Sequence, residues 1–166
     1  MIRKATKEDL QEILTIYNHA ILHTTSVYSY EPHTLEMRET WYNQKIEDKF
    51  PILVFEEQNH VIGFATYGSF RAWPAYQYSI EHSIYVDPNQ RKKGIATQLL
   101  TEIIALAKQN GYKTMIAGID ASNEQSIGLH KKFGFTYSGT IEKAGYKFDR
   151  WLDLAFYQLI FDSKKS

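Results

Sequence analysis

The segment that most restricts the fold runs from Tyr85 to Ala96 and reads YVDPNQRKKGIA. A strand-like apolar segment leads into a short basic loop, a glycine and the start of a long amphipathic pattern. The first turn of a helix carries unpaired backbone N–H groups and the positive end of the helix dipole. Gly94 and the small Ala96 would let a phosphate group approach that backbone closely. The segment therefore predicts a strand, an anion-binding loop and a helix.

The same segment also fits an ordinary strand-to-helix connection with solvated lysines. Neither a Walker motif nor G-x-G-x-x-G is present, so ATP and dinucleotide ligands lose support. An anionic ligand of another kind would need only the local basic groups at 91–93 and 131–132.

Composition excludes several classes of function. Lys+Arg and Asp+Glu each number 19 among 166 residues, and this balance argues against a protein that binds nucleic acid or membrane surfaces through a broad basic face. The absence of cysteine removes disulfides, thiolate nucleophiles and cysteine zinc sites. The N-terminal segment lacks the apolar run of a signal peptide, and no window approaches the roughly 18 apolar residues of a membrane span. We expect a cytoplasmic protein with one domain over residues 1–166.

The hydrophobic periodicity predicts a mixed α/β chain with the element order ααββ and then βαβαββ. Thr6 and Asp9 resemble a capping box for a helix over 7–22, and a second helix from Thr34 should turn Met37, Trp41 and Ile46 inward. The remaining predictions are strands over 51–55, 61–66, 76–86, 114–120, 135–142 and 151–161, a long helix stopping at Asn110-Gly111 with Ile95, Leu99, Leu100, Ile103 and Leu106 buried, and a short helix over 123–133.

Two motifs in this order resemble the GNAT superfamily of N-acetyltransferases. The first is Arg91-x-x-Gly94-x-Ala96 after Val86-Asp87-Pro88, and the second runs from Asn123 to Phe135 as NEQSIGLHKKFGF. The resemblance implies a single-domain fold with a mixed central sheet, antiparallel N-terminal strands, a V-shaped splay for acetyl-CoA and helices on both faces. It also implies contacts to acetyl-CoA from Val86, Arg91, Lys92, Lys93, Gly94, Ala96, Thr97, Asn123 and Ser126.

The resemblance narrows to the phosphinothricin and methionine sulfone N-acetyltransferase branch. It rests on EHSIYVDP at 81–88, on Leu129-His130 with Gly134-Phe135, and on the segment from Gly139 to Asp153. The segment SVYSYEP at 26–32 keeps a Glu-Pro but carries two tyrosines that depart from other members. The branch implies a homodimer and a small-molecule amine as substrate. We expect no metal, because the reaction needs none and the histidines do not form a metal-binding pattern.

Amide formation from a thioester needs a deprotonated amine, a stabilised oxyanion and a protonated leaving thiolate. Glu81 lies in a strand whose Ile80, Ile84 and Val86 should be buried, so its pKa can be raised, and the branch implies that it is the general base. Alternatively, Glu81 is a rim carboxylate paired with a cation. His130 occupies a helix where many relatives carry a proton-donating tyrosine, and it could protonate the thiolate, assist deprotonation of the amine, or be structural.

The carboxylate of an amino-acid acceptor could be bound by Arg71, Lys147 or Arg150. Tyr76, Tyr30 and Tyr146 could close an amphipathic pocket, although each of these residues could instead be a surface cation or a packing aromatic.

The leading hypothesis is acetylation of the α-amine of phosphinothricin, methionine sulfone, methionine sulfoximine or a related amino acid, by direct transfer from acetyl-CoA. Alternatives are acetylation of a protein N-terminus, a lysine or an aminoglycoside, and a non-catalytic acyl-CoA-binding module.

Overall fold

The computed structural model describes residues 1–90 and 94–162, so the predicted ligand contacts at Arg91, Lys92 and Lys93 lie outside the described residues. Seven strands and four α-helices occur within these ranges, with short 3-10 turns between some of them. In chain order they are β1 Ile2–Lys4, α1 Leu10–His23, α2 Leu35–Glu47, β2 Ile52–Glu57, β3 His60–Ser69, β4 Ser79–Val86, α3 Ile95–Gln109, β5 Thr114–Asp120, α4 Glu124–Lys132, β6 Thr136–Lys147 and β7 Arg150–Ile160.

The described chain divides into two compact units. The first contains residues 1–68, 83–90 and 94–103. Its strands β1, β2 and β3 pair antiparallel in that order, and the β2–β3 turn has positive φ at Gln58 and Asn59, as in type I′ hairpins. The apolar face of α1 packs on these strands, with Ile13 of the helix against Val54 and Phe64 in one buried cluster.

The second unit contains residues 69–82 and 104–162. Strand β4 runs parallel to β5, pairing Ser79–Glu81 with Thr114–Ile116. Strand β5 is antiparallel to β7, and β7 is antiparallel to β6. Alternate residues of β5, including Met115 and Ala117, form its buried face. The combination of parallel and antiparallel pairs confirms the predicted α/β class.

The ends of several elements follow local chemistry. The Thr6 N–H donates to Asp9 Oδ2 at 2.7 Å ahead of α1, which is the acidic half of the predicted capping box. Gly111 after α3 and Gly134 after α4 have φ of 88° and 94°, values that favour glycine. Both predicted helix stops are therefore confirmed.

Helix α2 turns only one of its three predicted residues inward, since Trp41 packs against the buried cluster of α1, β2 and β3. Met37 and Ile46 are 46% and 57% exposed, whereas Arg38 is buried. The Arg38 guanidinium lies 4.2 Å from the Tyr17 ring centre and 4.5 Å from that of Trp41, so aromatic faces replace aliphatic packing.

Two smaller corrections concern β4 and α3. Strand β4 begins at Ser79 rather than Tyr76, because Pro74–Tyr76 forms a 3-10 turn. In α3, Ile104 and Ala107 are buried, and Leu106 is only half-buried. Over residues 1–90 and 94–162, no helix is long and apolar enough to cross a membrane.

Candidate active site

Glu81 lies at the last rung of the parallel pairing between β4 and β5, opposite Ile116. Its neighbour Ile80 is fully buried, and alternation along the strand turns the Glu81 side chain to the other face of β4. There the carboxylate occupies space left by Gly118. A Cβ at Gly118 would lie 2.9 Å from Glu81 Oε2 and 3.7 Å from the Phe156 ring.

This environment changes the acidity of Glu81. Burial raises the pKa of its carboxyl group above the ordinary value of 4.5, while the positive charge of Arg71 acts in the opposite direction. A half-buried carboxylate of raised pKa is a better proton acceptor than a solvated one. The placement therefore fits a general base.

An aromatic wall lies on the same side as Glu81. The Phe70 ring contacts Tyr76 edge-on at 5.8 Å and Phe156 at 6.5 Å between ring centres. The Arg71 guanidinium stacks over Phe70 at 4.5 Å. The structure thus brings together Glu81, Arg71 and Tyr76 from the predicted set and adds Phe70 and Phe156.

His130 is held by protein groups on both ring nitrogens. Its Nδ1 lies 2.7 Å from the Ser126 carbonyl oxygen, and its Nε2 lies 2.9 Å from Nε2 of His82. Burial lowers the pKa of both imidazoles, and for His82 the nearby His130 lowers it further. As long as its hydrogen bond to His82 persists, His130 therefore has no ring nitrogen available to donate a proton to a thiolate.

The pairing of His130 with His82 was not predicted from the sequence. A signal was nonetheless present, because Ile80, His82 and Ile84 alternate on one face of a strand whose apolar residues were expected to be buried.

Asn123 and Ser126 form the start of α4. The Asn123 side-chain oxygen accepts a hydrogen bond from the Ser126 N–H at 3.1 Å, which makes Asn123 the N-cap of the helix. Both residues are half-buried.

The described part of the predicted phosphate-binding segment lies in the first unit. Val86 ends β4, and Gly94 precedes α3 with φ of 71°. The Gly94 carbonyl accepts the Gln98 N–H at 3.1 Å, whereas Ala96 and Thr97 lie in the first turn of the helix. The helix start after Gly94 agrees with the predicted order of strand, loop and helix, whereas the left-handed φ of Gly94 was not predicted.

Two predicted acceptor-binding residues, Lys147 and Arg150, lie far along the sheet from Glu81. They face each other at the end of the β6–β7 hairpin. Glu81 is level with Ile116, which pairs with Gln158 of β7. Gln158 is eight residues from Arg150 along that strand, or about 26 Å. The chain does not bring these two cations to Glu81.

Tyr30 lies in the first unit, between α1 and α2, with 63% of its surface exposed. Tyr146 of β6 stacks edge-on against Trp151 at 4.9 Å between ring centres.

Comparison with known proteins decides the family. The sequence model of the acetyltransferase (GNAT) domain matches residues 2–156, nearly the whole chain. The chain belongs to the GNAT acetyltransferase family. The predicted fold and the predicted enzyme class, an N-acetyltransferase, are confirmed by this match and by relatives that cover almost all of the chain.

Three relatives illustrate how far the similarity extends. The L-methionine sulfoximine/L-methionine sulfone acetyltransferase of Pseudomonas aeruginosa is 41% identical, over 99% of this chain and 96% of that protein. The crystal structure of an N-acetyltransferase from Staphylococcus aureus Mu50 is 61% identical, with a TM-score of 0.96, over 96% of this chain and 97% of that one. A phosphinothricin acetyltransferase from Sinorhizobium meliloti, crystallised in complex with acetyl-CoA, is 33% identical, with a TM-score of 0.94, over 97% of this chain and 88% of that one.

Proposed function

We propose that this GNAT protein transfers the acetyl group of acetyl-CoA directly to the α-amine of a small amino acid of the methionine sulfone, methionine sulfoximine or phosphinothricin type. The observation that carries the proposal is the half-buried Glu81 carboxylate, which lies beside the cationic Arg71 and an aromatic wall. An amino-acid acceptor needs a base for its ammonium group, a cation for its carboxylate and an apolar surface for its side chain. The names of the Pseudomonas and Sinorhizobium relatives support the same class of acceptor.

In the proposed reaction, Glu81 accepts a proton from the acceptor ammonium, directly or through water. The free amine attacks the thioester carbonyl carbon, a C–N bond forms, and the C–S bond of the tetrahedral intermediate breaks. The coenzyme A thiolate leaves. It takes up a proton, and the nitrogen loses one as the amide forms, so the protons balance. The raised pKa of Glu81 suits the first step, since the carboxylate gains a proton more readily than a solvated one does.

Acetyl-CoA is proposed to bind at the start of α3, with its diphosphate on the backbone N–H groups that follow Gly94. Two observations support this assignment: the φ of 71° at Gly94, and the lack of any atom of the described residues within 4 Å of a Cβ placed there. Calorimetric titration with acetyl-CoA and with coenzyme A should show binding. An absence of heat at several temperatures, with no protection from unfolding, would rule out this site.

The acceptor is tested by following free thiol release from acetyl-CoA against a panel of amines. We expect turnover with L-methionine sulfone, L-methionine sulfoximine or phosphinothricin, and none with peptides or kanamycin. Turnover confined to peptides or aminoglycosides would favour another GNAT activity. Binding of coenzyme A without turnover on the whole panel would favour a non-catalytic module.

Glu81→Gln is the matched variant for this assay. It keeps the shape of the side chain and removes the base, so kcat at neutral pH should fall by roughly 100-fold or more. Glu39→Gln makes the same chemical change on the exposed face of α2 and should leave kcat unchanged. A loss of less than a few-fold in folded Glu81→Gln would remove Glu81 from the mechanism.

The protein is further proposed to be a homodimer. Support comes from the resemblance and from three large side chains on β6 and β7, Tyr137, Ile141 and Trp151, which are all more than half exposed. Sedimentation velocity should give a dimer, and Trp151→Glu should shift it to monomer. A wild-type monomer at micromolar concentration would overturn the assignment.

A further inference from the structure

The strongest feature outside the proposed chemistry is the buried contact between His82 of β4 and His130 of α4. Both residues are less than a tenth exposed, and their rings pack against Phe135 at 5.7 and 5.0 Å between centres. Buried imidazoles are normally hydrogen bonded, and the partners decide which nitrogen carries the proton.

The protons of the pair follow from its partners. A carbonyl oxygen only accepts hydrogen bonds, so the 2.7 Å contact with Ser126 places a proton on His130 Nδ1. In neutral His130, Nε2 is then an acceptor, and the 2.9 Å contact requires the donor to be His82 Nε2–H. His82 Nδ1 consequently carries no proton.

The remaining nitrogen of the pair agrees with this assignment. Within the described part of the chain, His82 Nδ1 is buried and has no hydrogen-bond partner. The Ile116 carbonyl acts on the same imidazole and favours its charged form, but it does not reach Nδ1 in hydrogen-bonding geometry. A bare lone pair in this position is less costly than a buried N–H without an acceptor.

The location of the pair relates it to Glu81. Pairing of β4 with β5 ends at Glu81, and His82 is the next residue of β4. Glu81 is therefore flanked by fully buried Ile80 on one side and by His82, tied to α4, on the other. Side chains alternate along a strand, so the two histidines support β4 from the face opposite the carboxylate.

We propose that His82 and His130 form a neutral pair, sharing one proton between their Nε2 atoms, that positions Glu81 and takes no part in proton transfer to the substrate. The inference rests on the proposed role of Glu81 as the base. It assigns a function to His82 and makes His130 a positioning residue.

The first test uses the unmodified protein and does not depend on activity. Long-range ¹H–¹⁵N correlation spectra should show His130 as the Nδ1–H tautomer and His82 as the Nε2–H tautomer, both unchanged between pH 8 and pH 6. A His130 imidazole that titrates with an ordinary pKa near 6.5 would overturn the proposal.

The second test compares His82→Leu, His130→Leu and the double variant. Each single change leaves the partner with an unpaired buried nitrogen, so β4 should shift and kcat should fall about tenfold. The double variant replaces both polar rings by apolar side chains, so it should be more active than the worse single variant. His82→Gln keeps an N–H donor and should recover part of the loss.

The controls separate positioning from acid catalysis. If His130 donates a proton to the thiolate, His130→Leu and the double variant will share one large loss, while His82→Leu stays near wild type. That pattern would refute the proposal. His60→Gln, at an exposed histidine of β3, should leave kcat unchanged. Retained activity in Glu81→Gln would refute the assignment of Glu81 as the base. It would not change the imidazole spectra, so the two proposals can fail separately.

Discussion

At the scale of single residues, Gly118 determines where the Glu81 carboxylate can lie. A Cβ at Gly118 would be 2.9 Å from Glu81 Oε2, closer than carbon and oxygen atoms pack. We expect Gly118→Ala to lower kcat by about tenfold, because a displaced base no longer meets the amine. Thermal stability should change little, since the displaced atom is the end of a flexible side chain. The measurement is kcat beside the unfolding midpoint.

Gly128→Ala is the matched control for that prediction. Gly128 lies in α4, where a Cβ would have no atom of residues 1–90 or 94–162 within 4 Å outside the helix's own backbone. This change should leave kcat unchanged and raise stability slightly, since alanine favours a helix. A fully active Gly118→Ala would show that the carboxylate position observed here is not the reactive one.

Among the residues that the structure describes, Arg71 is a cation whose charge lowers the pKa of the Glu81 carboxyl group. If Arg71 binds the acceptor carboxylate, Arg71→Ala should raise KM for methionine sulfone about 10- to 100-fold, the usual loss of a charged hydrogen bond. With methionine sulfone amide, which lacks the carboxylate, wild type and variant should have similar KM values. Steady-state kinetics with the two acceptors measures both effects.

Arg150→Ala distinguishes the two acceptor sites that the sequence suggested. Arg150 is eight residues along β7 from the level of Glu81, so its removal should leave KM within about twofold. A large rise in KM with Arg150→Ala and none with Arg71→Ala would move the carboxylate site to the β6–β7 hairpin.

At the scale of elements, Gly63 sets how closely α3 approaches β3. A Cβ at Gly63 would lie 3.1 Å from Ile95 Cγ2 and 3.2 Å from both Leu99 Cδ1 and the Tyr85 carbonyl oxygen. Three contacts of this kind cannot all relax, so Gly63→Ala should destabilise the protein by about 1–3 kcal/mol. It should also weaken acetyl-CoA binding, because Ile95 is the first residue of α3. Urea unfolding and calorimetric titration measure the two effects.

Gly68→Ala, on the same strand, provides the comparison. Its Cβ would be 3.2 Å from Nζ of Lys45, the end of a flexible side chain. The cost should therefore be clearly smaller than at Gly63. Equal losses of stability at both positions would mean that β3 itself is sensitive to alanine, and not its contact with α3.

The sequence predicted elements best where one periodicity dominates. The bounds of β5 agree residue for residue, and α3 stops where glycine follows it. In helix α2 the prediction was right for Trp41 and wrong for Met37 and Ile46. The burial of Arg38 was missed because it depends in part on the Tyr17 ring of α1. No local pattern contains that information.

The candidate site shows the same division. The raised pKa of Glu81 was predictable from its apolar neighbours on β4. The position of Arg71 in a loop was predictable because Arg71 precedes that strand. The partner of His130 was not predicted, since 48 residues separate it from His82 and only the fold brings the rings together. The space for the carboxylate at Gly118 likewise comes from an adjacent strand.

At the scale of the whole molecule, the buried histidines should make stability depend on pH. Burial lowers the pKa of His82 and His130 in the folded protein below the ordinary value of 6.5. The unfolded chain therefore binds more protons below about pH 6.5, and unfolding free energy falls as the pH drops. Each histidine that is protonated only in the unfolded chain lowers the unfolding free energy by up to about 1.4 kcal/mol for each pH unit of acidification. Urea unfolding between pH 5 and pH 8 measures the slope.

Asp9 and Glu81 also affect how stability depends on pH, and their effects can be separated. Arg3 lowers the pKa of Asp9 below 3.8, so the stability from that pair is lost only at more acidic pH. Burial raises the pKa of Glu81 above 4.5, so Glu81 favours folding at low pH and this contribution fades as its carboxyl ionises. Glu81 therefore offsets part of the histidine effect, and Glu81→Gln should steepen the loss of stability on acidification.

The variant with leucine at both 82 and 130 isolates the histidine contribution. It should lose most of the wild-type slope between pH 6.5 and 5, and His33, whose pKa is also lowered by burial, should keep a smaller part of it. An unchanged slope in the double variant would mean that the buried pair accepts protons while folded, which conflicts with a neutral pair. Stability against pH thus tests, without any substrate, the same proton arrangement that the tautomer spectra report.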